Sequence, residues 1–250
     1  MRRIASFMLL VLLLSSVVVG SYGIYIYLRR NSGAVPSALL AGFTSLNPYT
    51  VLYAGAESDE ACRQAYEHLK TTTGVCLIAD SASSRYNPND NVVYLTNRAL
   101  QEDTVEAAHE FGHALDRCLY GEEVGYFSRQ EAFARAYEAD CIHMDRTFYT
   151  QDLFETTAYR NLAVSDILFA VFYEDTATTQ TLVASYDAAG VPYWRHESEY
   201  MSGLEKRQTE VFANLFAIFL SDDAQAKRFV RTYLPNSVQE FQEALNRKVW

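Results

Sequence analysis

Apolar and polar positions before residue 97 follow the spacing of strands in some stretches and of a helix in another. Apolar side chains that recur every three to four residues predict a helix over residues 58–71. Short apolar runs rich in β-branched and aromatic residues predict three strands, over residues 49–54, 75–79 and 92–96. The stretch between the last two strands, residues 81–91, reads SASSRYNPNDN and predicts a turn-rich loop.

A longer helix is predicted over residues 104–119, TVEAAHEFGHALDRCL, and Gly121 is placed to end it. One face of this helix is apolar and carries Val105, Ala108, Phe111 or Gly112, Leu115 and Leu119. The opposite face is polar and carries Glu106, His109, Glu110, His113 and Asp116 or Arg117. The pattern therefore predicts a helix that buries one side in the core and presents titratable groups on the other.

After Gly121 the pattern predicts helices alone. Apolar residues at helical spacing mark residues 130–148, 162–173, 178–186, 208–220 and 237–247. We expect an α+β domain over residues 49–250, in which a small N-terminal sheet with helices precedes a helical C-terminal lobe.

The first thirty residues differ from the rest of the chain. An uncharged run of 25 residues, from Ile4 to Leu28, lies between two arginine pairs and is long enough to span a bilayer as a transmembrane helix. We expect residues 1–30 to be an uncleaved signal-anchor, with a cleaved signal peptide as the alternative, and residues 31–48 to be a tether. The remainder would then lie outside the cell, held at the membrane as an extracellular domain or secreted.

Composition narrows the possible partners. Acidic residues outnumber basic ones by 31 to 21, the formal net charge is −10, and no basic stripe is present, which argues against a nucleic-acid partner. An even number of cysteines is compatible with two disulfides in an oxidising compartment, and the four are Cys62, Cys76, Cys118 and Cys141. Pairing of neighbours along the chain would join Cys62 to Cys76 and Cys118 to Cys141. Four buried free thiols are the alternative.

The polar face of the 104–119 helix carries the pattern His-Glu-x-x-His at His109, Glu110 and His113. Residues four apart on a helix lie on the same face, so both imidazoles can point at one metal ion. A glutamate beside them can accept the proton of a water that attacks a carbonyl. The pattern indicates the zinc-binding helix of a metallopeptidase, and a surface helix with two incidental histidines is the alternative.

A catalytic zinc takes three protein ligands and leaves one position for water, so a third ligand is needed. A third histidine six residues after His113 is excluded, because that position is Leu119. A carboxylate from a later helix remains, and the candidates are Glu131, Glu138 and Glu210. Beside Glu210, the small residues Ala213 and Ala217 suit close packing against Gly112 on the metal helix.

Two segments, HEFGHALD and TEVFANLFAIFLSDD, resemble the catalytic domain of the anthrax lethal factor family of zinc metallopeptidases. That family includes secreted bacterial endopeptidases that cleave Pro-Pro bonds. The second segment keeps the family's pattern at Glu210, Phe212, Ala213 and Phe216. It has Asn214 where the family has a second glutamate. The resemblance implies a zincin-like fold, a bound Zn2+ and Glu210 as the third ligand, with Glu131 as the alternative.

The resemblance also implies a tyrosine hydroxyl that stabilises the oxyanion, a few residues before the third ligand. The expected spacing of seven falls on Gly203, and Tyr200, ten residues before Glu210, is the nearest tyrosine. We therefore predict Tyr200 as this catalytic residue. Tyr193 and His196 are the alternatives.

Two further roles are predicted around the metal helix. The strand over residues 92–96 would be the edge strand that pairs with an extended substrate, with Tyr94 at the border of the cleft. Asp116 lies three residues after His113, so it can orient an imidazole as a partner behind the metal. Ordinary exposure of Asp116 at the surface is the alternative.

These inferences converge on a zinc-dependent endopeptidase that is anchored in the cell membrane through its N-terminal helix or secreted. It would hydrolyse peptide bonds of protein or peptide substrates by attack of a zinc-bound water that Glu110 activates. A catalytically inactive zincin-fold protein, which binds partners or acts as a scaffold at the cell surface, is the alternative. A closed structural zinc site is a further alternative, but such sites favour cysteines, and Cys118 lies off the metal face.

Overall fold

The computed structural model describes residues 57–78, 83–96, 98–99, 104–121, 125–248 and 250. In these residues the chain is mostly helical and carries a small three-stranded sheet, so the expected α+β class is confirmed. The strand expected at 49–54, the segment 1–30 and the tether 31–48 lie outside the described residues. Among the helices that are described, none has both the length and the apolarity needed to cross a bilayer.

The described helices come in the following order along the chain. They are α1 (Glu60–Thr72), α2 (Thr104–Tyr120), α3 (Glu131–Thr147), α4 (Thr150–Phe154), α5 (Leu162–Val171), α6 (Thr176–Ala189), α7 (Ser198–Met201), α8 (Leu204–Leu220), α9 (Ala224–Tyr233) and α10 (Pro235–Arg247). Short 3-10 helices span Phe127–Arg129 and Ala158–Arg160. The five helices expected after Gly121 correspond to α3, α5, α6, α8 and α10, whereas the pattern does not predict α4, α7 and α9.

The sheet consists of β1 (Gly74–Ile78), β2 (Arg85–Asn87) and β3 (Val92–Thr96), in the order β1-β3-β2. β1 runs parallel to β3, and β2 runs antiparallel to it with Tyr86 opposite Val93. The prediction that residues 92–96 form an edge strand is therefore wrong. β2 forms inside the stretch expected to be a loop, and it covers that edge.

A tight hairpin turn explains why β2 pairs with β3. Oδ1 of Asn87 accepts a hydrogen bond from the backbone N–H of Asn89 at 3.1 Å. Asn91 has a φ of 52°, a left-handed conformation that asparagine tolerates in turns. In the same turn the Tyr94 hydroxyl donates to Asp90 at 2.7 Å. Tyr94 therefore supports the hairpin.

α2 and α8 lie against each other at the centre of the fold. Every residue of α8 from position 207 to position 220 is buried. α2 ends at Tyr120, and the next residue, Gly121, has a φ of 106°, which favours glycine. A Cβ atom at Gly112 would lie 2.6 Å from the backbone oxygen of Ala213. The expected close approach of the two helices at Gly112 is therefore confirmed, and it brings Glu210 next to the polar face of α2.

All four cysteines are free thiols, so the two expected disulfides do not form. Cys62 is fully buried in α1, and Cys118 and Cys141 pack partly buried against the core. Burial raises the pKa of each of the four thiols, and raises that of Cys141 to about 11. The thiols therefore behave as small apolar side chains in packing.

Candidate metal centre

α2 places the side chains of His109 and His113 next to each other. Their Nε2 atoms are 3.0 Å apart, as expected for residues four apart on one helical face. α8 brings Glu210 to the same point, where its Oε2 lies 3.1 Å from Nε2 of His109 and 3.4 Å from Nε2 of His113. His109 and Glu210 are buried, with 4% and 1% of their surface exposed. The structure thus brings together the three residues predicted as metal ligands.

The two oxygens of the Glu210 carboxylate have different environments. Oε1 accepts a hydrogen bond from the Tyr200 hydroxyl at 2.6 Å, whereas Oε2 has no hydrogen-bond partner among the described residues. A buried carboxylate oxygen in this state is costly unless a cation lies beside it. This oxygen and the two imidazole nitrogens can therefore hold a metal ion. Imidazole nitrogen and carboxylate oxygen are donor types that bind zinc.

Charges within the centre favour a cation. Burial is the largest influence on the pKa of His109 and lowers it, but the carboxylates of Glu210, Glu110 and Asp166 outweigh burial and raise this pKa to about 10. Burial has the opposite effect on Glu210 and raises the pKa of its carboxyl group. The neighbouring His113 and His109 outweigh burial and hold this pKa well below its usual range. The centre therefore stabilises positive charge, whether protons or a metal ion carry it.

Glu110, the predicted general base, follows His109 on α2 and is buried. Burial raises the pKa of its carboxyl group more than the charges of His113 and His109 lower it. A backbone hydrogen bond from Tyr86 also stabilises the charged form of Glu110. Because Tyr86 lies in β2, the strand that the pattern does not predict helps to position the predicted base.

His109 has a partner outside the three ligand candidates. Its Nδ1 lies 2.8 Å from Oδ1 of Asn214, and Nδ2 of Asn214 donates to Oδ2 of Asp166 at 2.8 Å. Oδ1 of Asp166 lies 2.8 Å from Nδ1 of His196. Sequence reasoning missed Asp166. Its signal is that it is the one charged residue in α5, whose other residues are apolar except for Ser165, and a buried charge requires a partner.

Tyr200 and His196, two of the candidates for the oxyanion role, both lie at the centre. The ring of His196 stacks on that of Tyr200 with centroids 5.1 Å apart, and Nε2 of His196 is 3.7 Å from Oε2 of Glu210. Burial and the charge of Glu210 raise the pKa of Tyr200, so its hydroxyl keeps its proton. The third candidate, Tyr193, instead packs against Tyr186 with ring centroids 5.1 Å apart.

Three other carboxylates considered for the site do not join His109, His113 and Glu210. Glu131 is exposed on α3 and pairs with Arg135 at 2.6 Å, and Glu138 is exposed on the same helix. Asp116 is fully buried and accepts hydrogen bonds from the backbone N–H and the Oγ of Ser128, at 2.7 and 2.6 Å. The expected exposure of Asp116 is therefore wrong, and the hydrogen bonds found for it come from Ser128 rather than from an imidazole, because the 3-10 helix after α2 covers it.

A second group of possible metal donors consists of Asp166, His196 and Glu210. In this group both oxygens of Asp166 already accept hydrogen bonds, from His196 and Asn214. A metal ion there would have to displace one of these bonds inside a buried network. The geometry therefore favours a metal ion at His109, His113 and Glu210, with Asp166 in a hydrogen-bonding role.

Comparisons with family models, with curated proteins and with solved structures find no match. The case for the metal centre therefore rests on this chain's own geometry. That geometry is a pair of imidazoles and a buried carboxylate oxygen without a hydrogen-bond donor among the described residues, all within 4.8 Å of one another.

Proposed function

We propose that the chain is a zinc-dependent endopeptidase with a zincin-like fold. The observation that carries the proposal is the position of Oε2 of Glu210, which lies 3.1 Å from Nε2 of His109 and 3.4 Å from Nε2 of His113 and lacks a hydrogen-bond partner among the described residues. Two imidazoles and one carboxylate form a ligand set of catalytic zinc, which keeps a further position for water. The resemblance of α2 and α8 to the anthrax lethal factor family supports the proposal.

The residues of the centre divide the chemistry of peptide hydrolysis between them. His109, His113 and Glu210 hold the ion. A zinc ion bound there would lower the pKa of a coordinated water and polarise the substrate carbonyl. Glu110 accepts a proton from the attacking water and delivers it to the leaving amine. Burial suits Glu110 to both steps, because a raised pKa lies closer to the working pH.

Tyr200 donates a hydrogen bond to the oxyanion that develops on the substrate carbonyl. Its hydroxyl lies 2.6 Å from Oε1 of Glu210 and keeps its proton, so a donor is already present beside the ligands. His196 stacks against the same ring and limits the positions that Tyr200 can take.

The proposed location and substrates follow from the sequence. The uncharged run in the first thirty residues would hold the domain at the outer face of the cell membrane or direct its secretion. An acidic chain without a basic stripe fits protein or peptide substrates better than nucleic acid.

Replacement of Glu110 tests the proposed mechanism. Glu110→Gln should bind one zinc per chain as the wild-type protein does, and should lose at least roughly 100-fold in the rate of peptide cleavage, because the proton acceptor is gone. Zinc content and cleavage of a peptide library by the full chain are the measurements. Glu106→Gln makes the same change on the same helix, outside the proposed site, and should leave the rate within about twofold of wild type. Full activity of Glu110→Gln contradicts the mechanism.

A further inference from the structure

A chain of three hydrogen-bonded side chains lies behind the proposed metal centre. It runs from Nδ1 of His109 to Oδ1 of Asn214 and from Nδ2 of Asn214 to Oδ2 of Asp166, with 2.8 Å between the atoms of each pair. Asn214 and Asp166 are both fully buried, with 0% of their surface exposed. Water therefore does not take the place of either partner.

Only one orientation of the Asn214 amide satisfies both of its neighbours. A carboxylate accepts hydrogen bonds and donates none, so the NH2 group of Asn214 must face Asp166. The amide oxygen then faces His109, and Nδ1 of His109 must carry a proton to donate to it. In neutral His109 the lone pair is thereby left on Nε2, which is the atom that faces Glu210.

We propose that Asp166 is a positioning residue, which acts through Asn214 to set the tautomer of His109 that presents Nε2 to a metal ion. The inference rests on the proposed zinc site and extends it to a residue on a different helix. Metal-binding histidines commonly donate their other N–H to a carboxylate or a carbonyl oxygen. Here the amide of Asn214 stands between the imidazole and the carboxylate, so two residues share that task.

A purely structural role for Asp166 leads to a different expectation. α5 also anchors the segment over residues 191–197, because Asp166 bonds to His196 and Oγ of Ser165 accepts from the backbone N–H of Trp194 at 2.9 Å. If Asp166 only held this segment, its removal would lower stability and leave the zinc affinity of the folded protein unchanged.

A double-mutant cycle separates the two roles. Asp166→Leu, Asn214→Leu and the double variant are made in the full chain, and zinc affinity is measured by competition with a chelator. Each single change should weaken zinc binding roughly 10- to 100-fold, as loss of a histidine's outer partner does. The double variant should lose no more than Asn214→Leu alone, because the described residues offer Asp166 no other hydrogen-bonded route to His109. Losses that multiply in the double variant overturn the inference.

An exchange of the two side chains gives a test that does not depend on how well the leucine variants fold. The exchange combines Asp166→Asn with Asn214→Asp. The carboxylate at position 214 then accepts hydrogen bonds from Nδ1 of His109 and from the amide NH2 group at position 166. The amide oxygen at position 166 accepts the hydrogen bond from His196. All three hydrogen bonds are retained. Zinc affinity within about threefold of wild type is expected, and a loss of more than about tenfold overturns the inference.

The wild-type protein separates failure of this inference from failure of the proposed function. Asp140→Asn removes another fully buried, hydrogen-bonded carboxylate, on α3 and outside the centre, and should keep the zinc affinity of wild type. If wild type binds zinc but the double-mutant cycle and the exchange both give the contradicting results, only the role of Asp166 is overturned. Wild type that binds no zinc overturns the metal site and this role together.

Discussion

Asp140 and Glu210 are both buried carboxylates, with 0% and 1% of their surface exposed. They differ in the number of hydrogen-bond donors that face their oxygens. Asp140 accepts three hydrogen bonds at the start of α10, from the backbone N–H and Nδ2 of Asn236 and from the backbone N–H of Ser237. Among the described residues Glu210 accepts one hydrogen bond, from Tyr200 on Oε1, and its Oε2 faces two imidazole nitrogens.

The difference shows that the donors around a buried carboxylate distinguish a structural carboxylate from a candidate metal ligand. A carboxylate that caps a helix is surrounded by fixed N–H donors, which compensate for the loss of water. An oxygen that faces nitrogen atoms able to bind a metal, and has no donor among the described residues, is compensated only when a cation is present. The donors around Asp140 therefore stabilise its charge within the fold, whereas Oε2 of Glu210 could still bind a metal ion.

The largest expected effect comes from the same substitution made at each of the two carboxylates. Glu210→Gln should weaken zinc binding roughly 1,000-fold, because a charged ligand is lost from a three-residue site. Asp140→Asn should leave zinc binding unchanged and lower the free energy of unfolding by about 2 kcal/mol, since an NH2 group replaces a hydrogen-bond acceptor. Chelator competition and denaturant unfolding measure the two quantities. Equal losses of zinc affinity in both variants would contradict the assignment of Glu210, and not Asp140, as the metal ligand.

The Glu131→Gln variant is the control for the choice of ligand. Glu131 is exposed and paired with Arg135, so its loss should not change zinc affinity. A zinc site that fails with Glu131→Gln and survives Glu210→Gln would show that α8 does not supply the ligand.

A smaller effect is expected from separating the helices that bring Glu210 to the histidines. Gly112→Ala places a Cβ atom 2.6 Å from the backbone oxygen of Ala213, and backbone cannot move aside as a flexible side chain can. The free energy of unfolding should fall by about 3 kcal/mol, and zinc affinity should fall with it. Gly203→Ala is the matched control, because its Cβ would meet only Lys206 Cγ at 3.6 Å. Similar losses in both variants would contradict the close packing.

An effect slightly smaller than that of Gly112→Ala concerns Asp116, a third buried carboxylate whose donors both belong to Ser128. Burial outweighs these hydrogen bonds and raises its pKa from 3.8 to about 7. The folded protein therefore binds this proton more tightly than the unfolded chain, so the stabilisation is complete below pH 3.8 and is lost as pH rises through about 7. Asp116→Asn removes this titration and keeps the side-chain size.

Unfolding in denaturant with a chelator present measures the effect of Asp116. The stability of wild type relative to Asp116→Asn should fall by about 2.5 kcal/mol between pH 5 and pH 8. A difference that does not change with pH would show that Asp116 does not titrate in this range.

Elements with a local signal could be predicted from the sequence. The 104–119 helix is reproduced as Thr104–Tyr120, because its apolar spacing and the glycine after it are local features. The close contact at Gly112 could also be predicted, since small residues on both helices indicate it. β2 could not, because Arg85–Asn87 is too short and polar to form a strand except by pairing with β3.

The site was predictable to the extent that it depends on spacing. His109, Glu110 and His113 are positions on one helix, whereas Glu210 lies about a hundred residues away and was found through the resemblance of α8. Asp116 was misplaced because the 3-10 helix that covers it leaves no mark on the pattern of α2. Its contacts, like those of Asp166, exist only in the folded protein.

The most direct test of the metal centre is a crystal structure of the zinc-loaded protein with anomalous scattering measured at the zinc edge. The expected result is one zinc ion per chain, bound by Nε2 of His109, Nε2 of His113 and Oε2 of Glu210 at about 2.0–2.2 Å. An ion bound elsewhere, by Glu131 or a cysteine for example, or the absence of zinc after loading, would contradict the account.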